Sequence, residues 1–139
     1  MIRAALMAAA TTLALVSAAH AEPSTDLARR HIDAVAAGDV DQIIAQYGEQ
    51  SALSWIGGPL DGSYRGPAQL ADVWGKFAKQ APLKATIRAI AENANPAGTT
   101  VTADVVFEGK ATIKVHYVLL YRGDRLVGEI WQIDPKLAS

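Results

Sequence analysis

The stretch from Val101 to Asp134 constrains this chain most. It reads as three strands in succession, VTADVVFEG, KATIKVHYVLLY and RLVGEIWQID, joined by tight turns at Gly109 and at Arg122-Gly123-Asp124. In the first, Val101, Ala103, Val105 and Phe107 alternate with Thr102, Asp104, Val106 and Glu108. In the second, Ala111, Ile113, Val115, Tyr117, Leu119 and Tyr121 share one face, and Thr112, Lys114, His116, Val118 and Leu120 share the other. Successive strand side chains point to opposite sides, so this period of two predicts a sheet with one strongly apolar face. Leu83 to Ala91 adds a strand before it, turned at Asn95-Pro96-Ala97-Gly98. An apolar sheet face has to be covered by another layer.

The preceding sequence supplies three short helices for that layer. In the first, Leu27, Ala28, His31, Ile32 and Val35 fall on one side, opposite Arg29, Arg30 and Asp33. Ser24 or Thr25 is expected to cap it and Gly38 to end it. Asp39 caps a second helix, with Gln42 three residues on. Val40, Ile43, Ile44 and Tyr47 form its apolar stripe, and Gly48 stops it. Ser51 to Ile56 reads as a short strand, and Gly57 to Gly62 as a loop. Gly66-Pro67 opens a third helix with the spacing Leu70, Val73, Trp74, Phe77, ended by Pro82. The fold class expected is therefore α+β, a cone-shaped curved mixed or antiparallel sheet wrapped around three N-terminal helices.

Residues 1–21 stand apart from this pattern. Met1-Ile2-Arg3 is a short basic start, Ala4 to Val16 is apolar, and Ala19-His20-Ala21 fits a small-x-small cleavage site. This predicts a secretory signal peptide cleaved after Ala21, too short for a span of roughly 20 residues. The expectation is one domain over residues 22–139, periplasmic or secreted, with no membrane association after cleavage. The chain has no Cys, which excludes disulfides, thiolate metal sites and Cys nucleophiles. Its net charge is −1 and the leader carries Arg3, so the remainder is slightly more acidic and offers nucleic acid no basic surface.

Three motifs carry a resemblance. AAGDVDQIIAQYGEQSAL (36–53), YRGPAQLADVW (64–74) and LVGEIWQIDP (126–135), in that order, resemble the nuclear transport factor 2-like superfamily, which includes SnoaL-like cyclases and ketosteroid isomerases. The resemblance covers almost all of the chain after the leader. It implies a curved, cystatin-like sheet around helices, a deep apolar pocket and often a homodimer. Its members range from isomerases and cyclases to dehydratases, adaptors and ligand binders, so fold alone does not decide function.

The resemblance also points to residues. Aligned on AAGDVD, His31 stands where isomerase relatives carry a tyrosine oxyanion donor, and Tyr117, or His116, stands where they carry a strand acid. Their aspartate base falls at or near Trp55, and Ser51 to Pro59 contains no Asp or Glu. An enolisation site needs a base within reach of the proton it removes, which speaks against the isomerase mechanism. His31, on an apolar stripe and with a reference pKa near neutrality, is the candidate acid–base residue, with Tyr117 as its partner. Strand period puts His116 on the opposite face. Trp55, Tyr64, Trp74 and Trp131 are the expected pocket residues. Of the acids on the last strand, Glu129 shares Trp131's face and Asp134 shares Ile130's; Asp134 is favoured for the site because relatives often place a polar residue near that strand's end. No HxH or HExxH spacing, GxSxG elbow or phosphate loop is found, so no metal or cofactor is expected.

These readings lead to a protein that binds a small apolar or aromatic molecule. One alternative is a cofactor-free lyase, cyclase or isomerase using His31. The other is a dimeric interaction module built on the outer sheet face, where Val118 and Leu120 make the polar side incompletely polar.

Overall fold

The computed structural model describes residues 23–138; the leader expected over residues 1–21 lies outside the described residues. Two helices, α1 (Ser24–Ala37) and α2 (Val40–Ala45), precede strands β1 (Tyr47–Ile56) and β2 (Gly62–Arg65). Helix α3 (Gly66–Phe77) and a 3-10 turn (Ala78–Gln80) follow. Four strands complete the fold: β3 (Lys84–Asn95), β4 (Gly98–Glu108), β5 (Thr112–Arg122) and β6 (Arg125–Ile133). The six strands form one sheet in the order β2-β1-β6-β5-β4-β3. β1 runs parallel to β6 and every other neighbour is antiparallel, so the sheet is mixed. The expected α+β class and the three-helix layer are what the structure shows.

The alternation is realised along β5 and along β4 as far as Val105; Val106, on the other face, is buried as well. Val115, Tyr117, Leu119 and Tyr121 are buried while Lys114, His116, Val118 and Leu120 are half-buried. α1 lays Leu27, Ala28, His31, Ile32 and Val35 on the sheet, and α3 does the same with Leu70, Val73, Trp74 and Phe77. Each aromatic of this layer buries about 150–250 Å², worth roughly 4–6 kcal/mol of gross hydrophobic stabilisation.

Local turn chemistry aligns α1 with α3. Gly38 ends α1 at φ 70°, and a Cβ there would lie 2.5 Å from that of Ala81. Only glycine satisfies both the left-handed backbone and this close approach. Leu83 N then donates to Ala36 O at 2.7 Å, tying the segment after α3 onto α1. Asp39 caps α2 by accepting from Gln42 N at 3.2 Å, as its sequence predicts.

Three local expectations change. α1 takes Pro23, not Ser24 or Thr25, as its N-cap, with no side-chain cap bond; the rigid φ of proline serves instead. Between the expected loop and α3, from the loop's last residue Gly62 to Arg65, the chain forms β2, which pairs with β1 through Leu53 opposite Tyr64. Tyr47 leaves the helix and begins β1, because the β1–β6 register carries extra residues between Tyr47 and Ala52. Ser51, wholly buried in that bulge, reaches Gly48 O at 2.9 Å and Leu126 O at 2.6 Å. The bulge turns Tyr47 inward.

Candidate functional site

Between the helices and the sheet, where the resemblance implies a deep apolar pocket, the space is filled by side chains. They form two layers. The deeper layer is polar and centres on Glu129 of β6, which period two puts on the same face as Trp131. Tyr47 donates its hydroxyl hydrogen to Glu129 Oε1, and Tyr117 donates to Glu129 Oε2. His31 Nε2 lies 3.0 Å from Glu129 Oε2 and 2.9 Å from Tyr117 Oη. Trp74 Nε1 donates to Tyr47 Oη at 2.7 Å. His31 and Tyr117 are fully buried and Glu129 nearly so.

The bonding assigns the histidine tautomer. An ionised carboxylate only accepts, so Nε2 carries the hydrogen it shares between Glu129 and Tyr117. His31 Nδ1 is then the free ring nitrogen; it is buried with no partner among the described residues, as are Trp131 Nε1 and Tyr121 Oη. Burial, and then the nearby Glu129 charge, hold the Tyr47 and Tyr117 hydroxyls well above the ordinary phenol range. Tyr121 is raised for the same two reasons, with Arg30 opposing. Tyr47 and Tyr117 act as fixed hydrogen-bond donors rather than as phenolates.

Above the polar layer lies an aromatic one. Trp131 stacks on Trp55 with ring centroids 4.7 Å apart and on Phe107 at 5.2 Å, and meets Tyr117 edge-on at 5.2 Å. Trp55 also packs against Phe77 at 5.5 Å and Trp74 at 5.4 Å. Trp74 and Trp131, expected as pocket residues, thus spend their surfaces on other rings and are fully buried.

Trp55 alone of the three tryptophans reaches an open cleft. That cleft, of about 240 Å³, lies at the end of the sheet where β1 and β6 finish and β5 begins. Trp55, Leu60, Phe77, Ile113 and Ile133 form its apolar lining, with Pro59 on the loop and Lys76 and Gln80 as its polar members. Tyr64 lies outside it, but its hydroxyl donates to Leu60 O at 2.6 Å and so holds one wall.

Asp134 and His116 stay apart from both layers. Asp134 N donates to Lys114 O at 2.8 Å and its Oδ1 accepts from Lys136 N at 3.0 Å, which commits it to the turn after β6. The acid that joins His31 is Glu129, so the choice between the two strand acids is corrected. His116 pairs with Asp104 at 2.7 Å on the outer face, on the side its periodicity predicts. Among the described residues, no three His, Asp or Glu side chains gather as a metal-binding group.

Glu129 and Tyr47 are the residues sequence reasoning missed. Glu129 was legible: an acid sharing a face with Trp131, on a strand between Leu126 and Ile133, is an inward acid. Tyr47 was not, because its direction depends on the β1 bulge.

A family model described as a SnoaL-like domain matches residues 28–131. Among solved structures, the chain is similar to a protein of unknown function with a cystatin-like fold from Nostoc punctiforme PCC 73102. That match has TM-score 0.68 and 15% identity, over 82% of this chain and 90% of that one. It is likewise similar to an NTF2-like protein of unknown function from Pseudomonas putida KT2440, with TM-score 0.68 and 16% identity over 81% and 87%. A ketosteroid isomerase-like protein from Erwinia carotovora atroseptica SCRI1043 matches with TM-score 0.63 and 15% identity over 78% and 92%. At these identities the structures speak for the fold alone. No curated protein matches the chain in sequence.

Proposed function

The chain belongs to the SnoaL-like domain family, and we propose that it is a pocket protein that takes up a small apolar or aromatic molecule in the cleft over Trp55. The observation that carries this reading is the cleft's chemistry: an indole floor, aliphatic walls and a few polar groups at the edge. Ligand sites commonly combine apolar walls with a small number of placed polar groups. At about 240 Å³ the cleft is smaller than sites for drug-sized molecules, which begin near roughly 300 Å³, so the ligand is small. The leader pattern over residues 1–21 supports a periplasmic or secreted location. Exposed Ile130 (41%) and Ile56 (44%) beside half-buried Val118 support a homodimer through the outer sheet face. The test is tryptophan fluorescence, titrated with a library of small apolar and aromatic compounds, beside native mass spectrometry of gently purified protein. Saturable quenching or a retained small molecule is expected. No binder with a Kd below the millimolar range would overturn the reading.

A second reading, a cofactor-free lyase, cyclase or isomerase, is favoured by one observation. Glu129 fixes His31 Nε2 and leaves Nδ1 buried and unpartnered, the arrangement of an oriented base. His31 is fully buried, so reaching it requires the side chains around it to part. In this reading His31→Gln lowers whatever turnover is found by about 10²–10⁴-fold; an unchanged rate excludes it.

A further inference from the structure

We infer that the ligand of the end cleft is an anion: a small molecule with an apolar body and a carboxylate, held by Lys76. The inference rests on the pocket reading above and adds the charge of the ligand.

Two clefts meet at this end of the sheet. The cleft over Trp55 shares the Ile113 and Ile133 walls with a second of about 270 Å³, which continues past Lys114 to Pro135. Lys76 stands on the first, and Lys114, whose side chain strand period puts on the outer face, stands on the second. No carboxylate lines either cleft.

Three acids near the two clefts have partners within the fold, and Glu108 stands opposite Thr112 of the second cleft. Asp61 accepts from Gly57 N at 2.7 Å, closing the loop that carries Pro59 and Leu60. Asp134 accepts from Lys136 N. Asp72 faces Lys76 at 3.0 Å, but these side chains are 62% and 55% exposed. Such a surface pair is worth at most about 1 kcal/mol, so an incoming carboxylate, seated by its apolar body, can take the lysine over. Lys114 Nζ donates to Leu137 O at 2.9 Å, which uses one of its three hydrogens.

The surroundings extend the same sign. Lys79 sits beside Gln80 in the 3-10 turn, and Lys110 precedes the Ile113 wall in the β4–β5 turn. Lys84 begins β3 opposite Glu108, the one acid paired in register there. The chain as a whole is slightly acidic, with 14 Asp and Glu against 13 Lys and Arg, so lysine at this end is a local excess. Fields of this kind raise the local concentration of anions at a cleft.

The test compares matched ligands by calorimetry or tryptophan quenching in low salt. 2-Naphthoate and octanoate are the aromatic and alkyl acids; 2-naphthamide and octanamide are their neutral counterparts. At least one acid is expected to bind about tenfold tighter than its amide, and the better acid tells an aromatic ligand from an alkyl one. The preference should shrink to less than about threefold in Lys76→Gln, an exposed position where folding is checked by circular dichroism. Equal binding of acid and amide would overturn the anion assignment while leaving the pocket reading intact. A preference that survives in Lys76→Gln would also overturn it. Failure of all four compounds and of the wider library would remove the pocket reading itself.

Discussion

Replacing Glu129 tests how the interior is held together. Its carboxylate accepts from Tyr117 and His31, both buried, and from half-buried Tyr47. Glu129→Ala leaves three donors without an acceptor. Each buried donor left unsatisfied costs roughly 1–3 kcal/mol, and partial repair among the three brings the total to about 3–6 kcal/mol. Total stability for a domain is usually about 5–15 kcal/mol, so this variant should be barely folded. Glu129→Gln keeps the shape and one accepting oxygen but turns the other arm into a donor facing donors, for a loss of about 1–3 kcal/mol. Tyr117→Phe removes one hydroxyl and should cost about 1–2 kcal/mol. Urea unfolding followed by fluorescence reads these directly, since Trp55, Trp74 and Trp131 lie in the packed aromatic layer. With a slope of about 1–3 kcal/mol per molar, Glu129→Gln should shift the midpoint by roughly 1 M. A double-mutant cycle of Glu129→Gln with Tyr117→Phe should show coupling of about 1–2 kcal/mol. A midpoint for Glu129→Gln within error of the parent, or additivity of the two changes, would refute the network as a stabilising unit.

Three other outcomes are expected. Tyr47, Tyr117 and Tyr121 have pKa values raised in the fold, so the unfolded chain loses protons first as pH climbs past about 10. Stability is full below that pH and falls above it, by up to about 1.4 kcal/mol per unit for each tyrosine. Tyrosinate absorbance should therefore rise for three of the four tyrosines only on unfolding, and a native titration of all four near pH 10 would contradict this. Ile130→Lys on the outer face should yield a monomer in light scattering with the fold intact; an unchanged mass would discard the dimer through that face. Gly38→Ala, against a φ of 70° and Ala81, should cost about 1–2 kcal/mol or more in thermal or urea unfolding.

Much of this architecture was legible because it rests on periods. Alternation from Val101 to Tyr121 dictated which strand residues face inward, and the Leu70–Val73–Trp74–Phe77 spacing dictated the buried side of α3. His31 and Tyr117 were both placed inward by those periods, and the structure brings them to 2.9 Å. What periods do not carry is where a backbone departs from them. The β1 bulge sends Tyr47 from a presumed helix stripe into the core, and a short β2 emerges from glycine-rich sequence because pairing with β1 outweighs its weak strand preference. Tertiary filling was equally out of reach. Trp55, Trp74 and Trp131 are named by any reading as large apolar groups, but only their packing shows that two close the interior and one floors a cleft. Glu129 was overlooked for a different reason. The resemblance favoured Asp134, near the strand's end, and that outweighed the face Glu129 shares with Trp131.

Whether the cleft over Trp55 holds a ligand decides the function of this protein. The most direct measurement is a nuclear magnetic resonance titration of protein labelled at indole nitrogens and isoleucine and leucine methyls, with small aromatic and aliphatic acids and their amides added in turn. A ligand in the cleft should give saturable shifts at the Trp55 indole and the Leu60, Ile113 and Ile133 methyls, with Trp74 far less affected. Shifts centred instead on Ile130 and Val118, or none with any compound, would contradict this.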